Sequence, residues 1–297
     1  MEDSSERHGT LYVVGTPIGN LEDLSPRAVA TLGICRLIAA EDTRKTRRLM
    51  TRHGLGGRVV SYHKFNEARR APDLLAALSA GDSVALVSDA GTPGLSDPGS
   101  LLVSRARGAG HRVVPIPGPS AVTTLLSASG FPSGPFTFIG FLPSRRAARR
   151  SALEQLANEP RPLLFFEAPH RVLEMLDDLR AVLGERAICL GREMTKLHEE
   201  FLSGTIESVR ERLAAGPLKG EISLLVAAPP ARSMRPPEDS RQPPERPGES
   251  VLRLLAAGWD RKEALRRVAK ESGLSRRQVY NDLLRAQRAA GEGGAEP

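Results

Sequence analysis

Apolar residues fall into short runs, separated by loops rich in Gly and Pro and by stretches of helical period. Leu11-Tyr-Val-Val14 predicts a first buried strand, Leu37–Ala40 a second, Val59–Tyr62 a third, Ser83–Val87 a fourth and Arg112–Ile116 a fifth. Between them, Ser25-Pro26 opens a helix with serine as N-cap and proline in the first position. Pro72–Ala80 predicts a helix stopped by Gly81, and Leu101–Ala109 another closed by Gly110. Strand, loop and helix in alternation imply a largely parallel sheet with helices on both faces. After Phe138–Leu142 the style repeats: a strand at Leu163–Phe166, the loop Glu167–Arg171, a helix to about Leu183, and strands at Ile188–Leu190 and Glu221–Ala228. The expected architecture is α/β, with one domain over residues 10–122 and a second over 123–228.

Beyond this the pattern changes. Residues 229–248 hold seven prolines among alternating charges, a composition for a linker rather than a packed core. From Asp260 to Arg288 two helices are expected, ended and restarted around Ser272-Gly-Leu-Ser275, which is helix-turn-helix spacing in a tail domain of residues 249–290. Residues 1–9 and 291–297 read as unstructured. Between 250 and 290, ten Lys and Arg face four Asp and Glu, most of the chain's net charge of +7. That excess favours a polyanionic partner, although a purely structural three-helix appendage fits the tail equally well.

Composition narrows the classes. At 297 residues the chain can bury two substantial cores. Aromatics make up 4%, too few for base-stacking platforms to dominate. Cys35 and Cys189 lie far apart in apolar contexts, which argues against zinc or a disulfide framework. The start MEDSSERHGT lacks the apolar core of a secretory signal, and no run reaches membrane-spanning length, so a cytoplasmic protein without a membrane or metal partner is expected.

The chemistry concentrates in loops. After the fourth strand, Ser88-Asp-Ala-Gly-Thr-Pro-Gly-Leu-Ser-Asp-Pro-Gly99 carries more Gly and Pro than a simple turn needs, with Asp89 and Asp97 as acceptors. Open α/β sheets bind ligands just past the carboxyl ends of their strands, where this loop would lie. Gly15-Thr-Pro-Ile-Gly19 does not spell the dinucleotide fingerprint. Arg44, Lys45, Arg47 and Arg48 form one basic cluster, and Arg145, Arg146, Arg149 and Arg150 another. Each reads either as a solvated helix face or as a clamp on RNA phosphates.

Six segments in one order carry a resemblance: VGTPIGNLEDLSPRA (14–28), AAEDTRKTRRLM (39–50), VSDAGTPGLSDPG (87–99), VPIPGPSA (114–121), FFEAPHR (165–171) and GREMTKLHEE (191–200). Together they resemble the tetrapyrrole-methylase superfamily, and within it the branch that 2′-O-methylates a cytidine of 16S ribosomal RNA. The Ser88-Asp89-Ala90 loop stands where tetrapyrrole enzymes typically read Gly-Asp-Pro. The resemblance implies two α/β domains with S-adenosylmethionine held in the cleft between them, usually in a homodimer acting on 16S RNA or the small ribosomal subunit. It places Asp89, Ala90, Gly91, Thr92, Ser120 and Ala121 against the donor, with Pro17 nearby, and closes the pocket with Glu167, Ala168, Pro169, Met194, Ile222, Ser223 and Leu224. The hydroxyl must lose a proton, and Glu41, Asp42, His63, Glu67, Glu167, His170 and Lys196 are candidate bases. Spacing selects none of them; Glu167, His170 and Glu41 are carried forward. A tetrapyrrole or protein methyltransferase on the same scaffold, and a DNA-binding regulator reading through the tail, are the competing classes.

Overall fold

The computed structural model describes residues 9–132, 134–229, 246–256 and 258–292, which form two compact units divided after residue 230. The expected unstructured N-terminus, save Gly9, lies outside the described residues, as do most of the linker and the last five residues.

In the first unit, β1 (Thr10–Val14), β2 (Leu37–Ala40), β3 (Arg58–Ser61), β4 (Val84–Val87) and β5 (Arg112–Ile116) form one sheet in the order β3-β2-β4-β1-β5, every pair parallel. Successive side chains point to opposite faces, and both faces are covered. Val14, Ile38, Ala40, Ala85 and Val87 pack with Ala28 and Leu32 of α1 (Pro26–Ile34) and Leu49 and Met50 of α2 (Thr43–Arg52). Leu11, Ala39, Val84 and Leu86 face α3 (Glu67–Ser79) and α4 (Ser100–Gly108). Ser25 caps α1 as expected, its side chain accepting from the Ala28 amide. The next expected helix begins at Glu67 rather than Pro72, so Pro72 lies inside α3: strong helix formers at Glu67–Ala71 extend it toward Asn66.

The helix after β5, α5 (Ala121–Ala128), packs through Val122 and Leu125 against a second sheet. That sheet contains β6 (Thr137–Phe141), β7 (Leu163–Glu167), β8 (Ala187–Arg192), β9 (Glu200–Thr205) and β10 (Ile222–Val226), in the order β6-β7-β10-β8-β9. Only β6–β7 is parallel; the other pairs are antiparallel. The expectation of a largely parallel sheet therefore holds for the first half alone. Strands β8 and β9 are joined by a short loop without a crossover helix, a connection that parallel strands cannot make. The other face of this sheet is covered by α6 (Arg146–Gln155), α7 (Val172–Leu183) and α8 (Ile206–Ala214).

The second basic cluster largely serves this packing. Arg149, with no exposed side-chain surface, reaches Asp178 of α7 at 2.8 Å and Glu174 at 3.3 Å, so it is withdrawn from any RNA phosphate. Arg146 and Arg150 also bond Asp178, at 3.2 and 2.8 Å, while Arg145 is exposed. Burial pushes the Asp178 carboxyl up, but the three guanidinium groups outweigh it and hold its pKa below the ordinary aspartate value. The stabilisation is present above pH 3.8 and disappears as acid protonates the group. Asp178→Ala leaves Arg149 buried without its main partner and is expected to cost about 3–5 kcal/mol in urea unfolding. Arg145→Ala is expected to cost under about 0.5 kcal/mol. Equal midpoints for the two variants would contradict this account.

Among the described residues, the second unit is three helices: α9 (Pro247–Ala256), α10 (Arg261–Ser272) and α11 (Arg276–Glu292) around Val251, Ala264, Val268, Val279 and Leu283. Gly273 ends α10 in the left-handed region at φ 67°, as its position in the sequence implied.

Candidate functional site

The loops that follow β1, β4 and β5 emerge side by side, because those strands are adjacent and parallel. A two-way bridge joins the first pair: the Thr16 amide donates to Gly91 O at 2.8 Å and the Gly91 amide to Thr16 O at 3.0 Å. Gly91 sits at φ 77°, which a side chain would strain, and the Thr16 hydroxyl donates to Ser88 O at 3.1 Å. From the second sheet, β10 runs antiparallel to β7 with Ile222 opposite Glu167. The end of one strand therefore lies beside the start of the other.

These edges enclose a cavity of about 340 Å³. Ala90, Gly91, Thr92, Ser120, Ala121, Glu167, Ala168, Pro169, Ile222 and Ser223, all assigned to the donor pocket by the resemblance, line it. Sequence reasoning missed its apolar walls, Ile18, Leu95, Phe141 and Phe166, and the carboxylate of Glu221; Asp97, noted as an acceptor, also lines it. Phe141 and Phe166 meet edge to face, 5.7 Å between ring centres. Among the described residues, no Lys or Arg lines this cavity.

A second cavity of about 460 Å³ adjoins it, sharing Ile18, Ala90 and Glu221. Pro17, Asp89, Lys45, Arg48 and Lys196 line this one. Pro17 and Asp89 thus face the second cavity rather than the first. Asp89 accepts from the Asp42 amide at 2.8 Å and from the Lys45 ammonium at 2.9 Å. Lys196 reaches Glu193 at 2.9 Å and Glu221 at 3.1 Å. Its loop is held by the Asn20 amide donating to the Thr195 hydroxyl at 3.0 Å. The hydrogen bond to Asp89 raises the Lys45 pKa; for Lys196, burial lowers it but Glu193 and Glu221 prevail and raise it. Both remain cationic at neutral pH.

Met194 and Leu224 line neither cavity. Met194 is packed among Ile18, Val122 and Leu125, and Leu224 faces the helices that cover the second sheet. Among the candidate bases, His170 is exposed in the 3-10 turn Pro169–Arg171 and lines neither cavity. Glu167 is buried in the first cavity, taking the Ala168 amide at 2.8 Å with the Arg171 guanidinium 3.2 Å away. Glu41 also lines neither cavity, but burial first and Asp89 second raise its pKa. Asp97 is pushed up to about 6, by burial first, then by Glu41, with Asp89 and Glu221 adding to it. In the first basic cluster Arg44 pairs with Asp42 at 3.2 Å, while Arg47 and Arg48 are exposed along α2.

Comparison with known proteins bears on the family and the fold. The family of Tetrapyrrole (Corrin/Porphyrin) Methylases matches residues 10–210. Curated relatives include the ribosomal RNA small subunit methyltransferase I of Halalkalibacterium halodurans, 43% identical over 92% of this chain and 94% of that one. The protein of the same name from Synechocystis sp. is 44% identical over 92% and 96%, and that from Escherichia coli O157:H7 is 41% identical over 96% and 98%. Among solved structures, a cobalt precorrin-4 methyltransferase superposes with a TM-score of 0.58 at 15% identity, covering 76% of this chain and 98% of its own. A uroporphyrin-III C-methyltransferase from Thermus thermophilus, complexed with S-adenyl homocysteine, gives 0.52 at 20% identity, covering 73% and 97%. With two thirds of its length matched and relatives above 40% identity along nearly all of it, the chain belongs to the tetrapyrrole (corrin/porphyrin) methylase family.

Proposed function

We propose that this protein methylates ribosomal RNA of the small subunit from S-adenosylmethionine, acting as a homodimer on the ribose 2′-hydroxyl of a cytidine in 16S RNA, position 1402 in the usual numbering. The carrying observation is the pair of adjoining cavities: one apolar and edged with carboxylates, the other edged with lysines. The first fits the donor, since its volume lies in the usual ligand range and its small residues allow close approach. Its charged groups are carboxylates, which suit a sulfonium and an ammonium and would repel a phosphate. When bound, S-adenosylmethionine supplies an electrophilic methyl group to an oxygen aligned behind the carbon–sulfur bond. Ala90, Gly91, Ser120, Ala121, Ile222 and Ser223 would hold it, with Asp97 and Glu221 facing its positive charge. The second cavity receives the RNA, where Lys45, Arg48 and Lys196 offer cations to its backbone. Alignment supplies most of the acceleration, with effective molarities of about 10⁵–10⁸ M for well-oriented groups.

The deciding experiment offers labelled S-adenosylmethionine and purified small subunits to the enzyme and maps the modified nucleotide. Label on a cytidine ribose supports the reading; label only in a porphyrinoid or in protein overturns it.

Asp97 makes the site pH-dependent. Its folded pKa of about 6 lies above the ordinary 3.8, so the penalty for burying its charge is absent below pH 3.8 and complete above pH 6. Asp97→Asn is therefore expected to stabilise the fold by about 1–3 kcal/mol at pH 8 and not at pH 3.5. Because only the carboxylate attracts a cation, donor affinity in calorimetry is expected to fall as the pH drops through 6, and Asp97→Asn to flatten that fall. A wild-type affinity constant from pH 5 to 8 would remove Asp97 from the donor site.

A further inference from the structure

The face of α11 that turns away from its own core is exposed and basic. Val279 and Leu283 are buried in the three-helix core, and Asp282 is drawn toward α9, where it accepts from the Gly248 amide at 3.0 Å. This packing orients the rest of the helix. Arg276 and Tyr280 lie one turn apart, as do Arg277, Asn281 and Arg285, and all five are exposed. Three guanidinium groups, one amide and one aromatic ring thus form a continuous strip, and the acid of this segment is turned elsewhere. The Arg261 guanidinium stands 5.4 Å from the Tyr280 ring centre and extends the positive strip onto α10. The start of α11 is fixed by a reciprocal cap, the Ser275 amide donating to Gln278 Oε1 at 2.9 Å and the Gln278 amide to Ser275 Oγ at 3.4 Å. The strip is therefore carried on a capped helix.

We propose that this strip is an RNA-binding surface that grips the phosphate backbone of structured small-subunit RNA and stacks one unpaired base on Tyr280. The inference rests on the RNA-methylating reading above and adds a second, separate contact to it. Guanidinium groups match phosphate oxygens in fork geometry, and a tyrosine face accepts any base. The deep, narrow major groove of an RNA helix is closed to side chains, so the contact is with backbone and unpaired bases rather than base-pair edges. Covalent connection to the body makes this second contact intramolecular once the first has formed, which raises overall affinity without any change in the donor site.

The test uses the full-length chain with Arg276, Arg277 and Arg285 all replaced by Gln, and separately Tyr280→Ala. Affinity for small subunits is measured across salt concentrations, with helix content by circular dichroism as the check on the tail's folding and donor affinity by calorimetry as the check on the body's. In the triple variant the dissociation constant is expected to rise tenfold or more, and the slope of log K on log salt to shrink by about 2–3 for three lost phosphate contacts. Tyr280→Ala is expected to weaken binding about fivefold or more with the slope unchanged. If both variants bind subunits like wild type while wild type methylates them, the strip is not an RNA surface and the enzymatic reading survives. If wild type methylates no RNA, that reading falls and this inference with it. Sequence-preferring binding of duplex DNA, abolished in the triple variant, would replace it with a DNA reader.

Discussion

Asp89→Ala is expected to lower turnover by about a hundredfold while donor affinity changes much less. Asp89 stands at the exit of β4, and its two oxygens hold two different things. One accepts from the Asp42 amide, the other from the Lys45 ammonium. Asp42 in turn caps α2 by accepting from the Arg44 amide at 2.8 Å. A single carboxylate therefore sets both where α2 begins and where the cation it carries points. Alanine releases both, and displacement of about 1 Å at a reacting site costs on the order of 10² in rate. Asp89→Asn separates the two roles: its carbonyl oxygen can still take the Asp42 amide, but the ion pair to Lys45 is gone. An intermediate loss is expected for it. The resemblance had placed Asp89 against the donor, whereas its position in the second cavity moves the expected damage to the side proposed to receive the RNA. Single-turnover kinetics and calorimetry on the same preparations distinguish the two. A large loss of donor affinity with normal turnover would restore the original placement.

What could be read in the sequence follows from how local each signal is. The first sheet was legible strand by strand, because its buried runs, serine caps and glycine stops are written within a few residues of one another. The loops at its strand ends were legible too, and Ala90–Thr92, Ser120 and Ala121 meet at one cavity. Strand β9 was not: EFLSGT alternates weakly and buries only Leu202. The meeting of Glu167 with Ile222 was implied by the resemblance alone, because it depends on antiparallel pairing between segments about fifty residues apart in the chain, which no local pattern carries. Two misplacements had a readable signal. Arg149 lies one turn before Leu153, and both are buried, so helical period already set that arginine on the inner face of α6. Along β10, alternation turns Leu224 away from Ser223 and toward the face that α6, α7 and α8 cover, and Leu224 lies further along the strand than Ile222. The pairing of Arg149 with Asp178 depends on how α6 meets α7, which no local pattern carries.

Gly118→Val is expected to destabilise the protein by about 3 kcal/mol and to weaken donor binding at least tenfold. The reason lies in backbone meeting backbone. Strands β1 and β5 run parallel with Val14 opposite Ile116, and the Gly15 amide continues the ladder to Ile116 O at 3.0 Å. Immediately beyond, the two loops touch. A Cβ on Gly118 would stand 2.8 Å from both C and O of Gly15, and one on Gly15 would stand 2.8 Å from N and Cα of Gly118. Neither side can yield as a flexible side chain would, because both are main chain in the same sheet edge. The loops must separate, and they are the ones that carry Ile18 on one side and Ser120 and Ala121 on the other, walls of the same cavity. Stability and donor affinity should therefore fall together. Gly108→Ala is the matched control. It lies at the end of α4 with nothing within 4 Å of an added Cβ, and it is expected to stabilise by up to about 1 kcal/mol with the site untouched. Thermal melts and calorimetry on both variants decide the matter: a Gly118→Val protein that melts with wild type and binds the donor normally would show that the two loops are free to part.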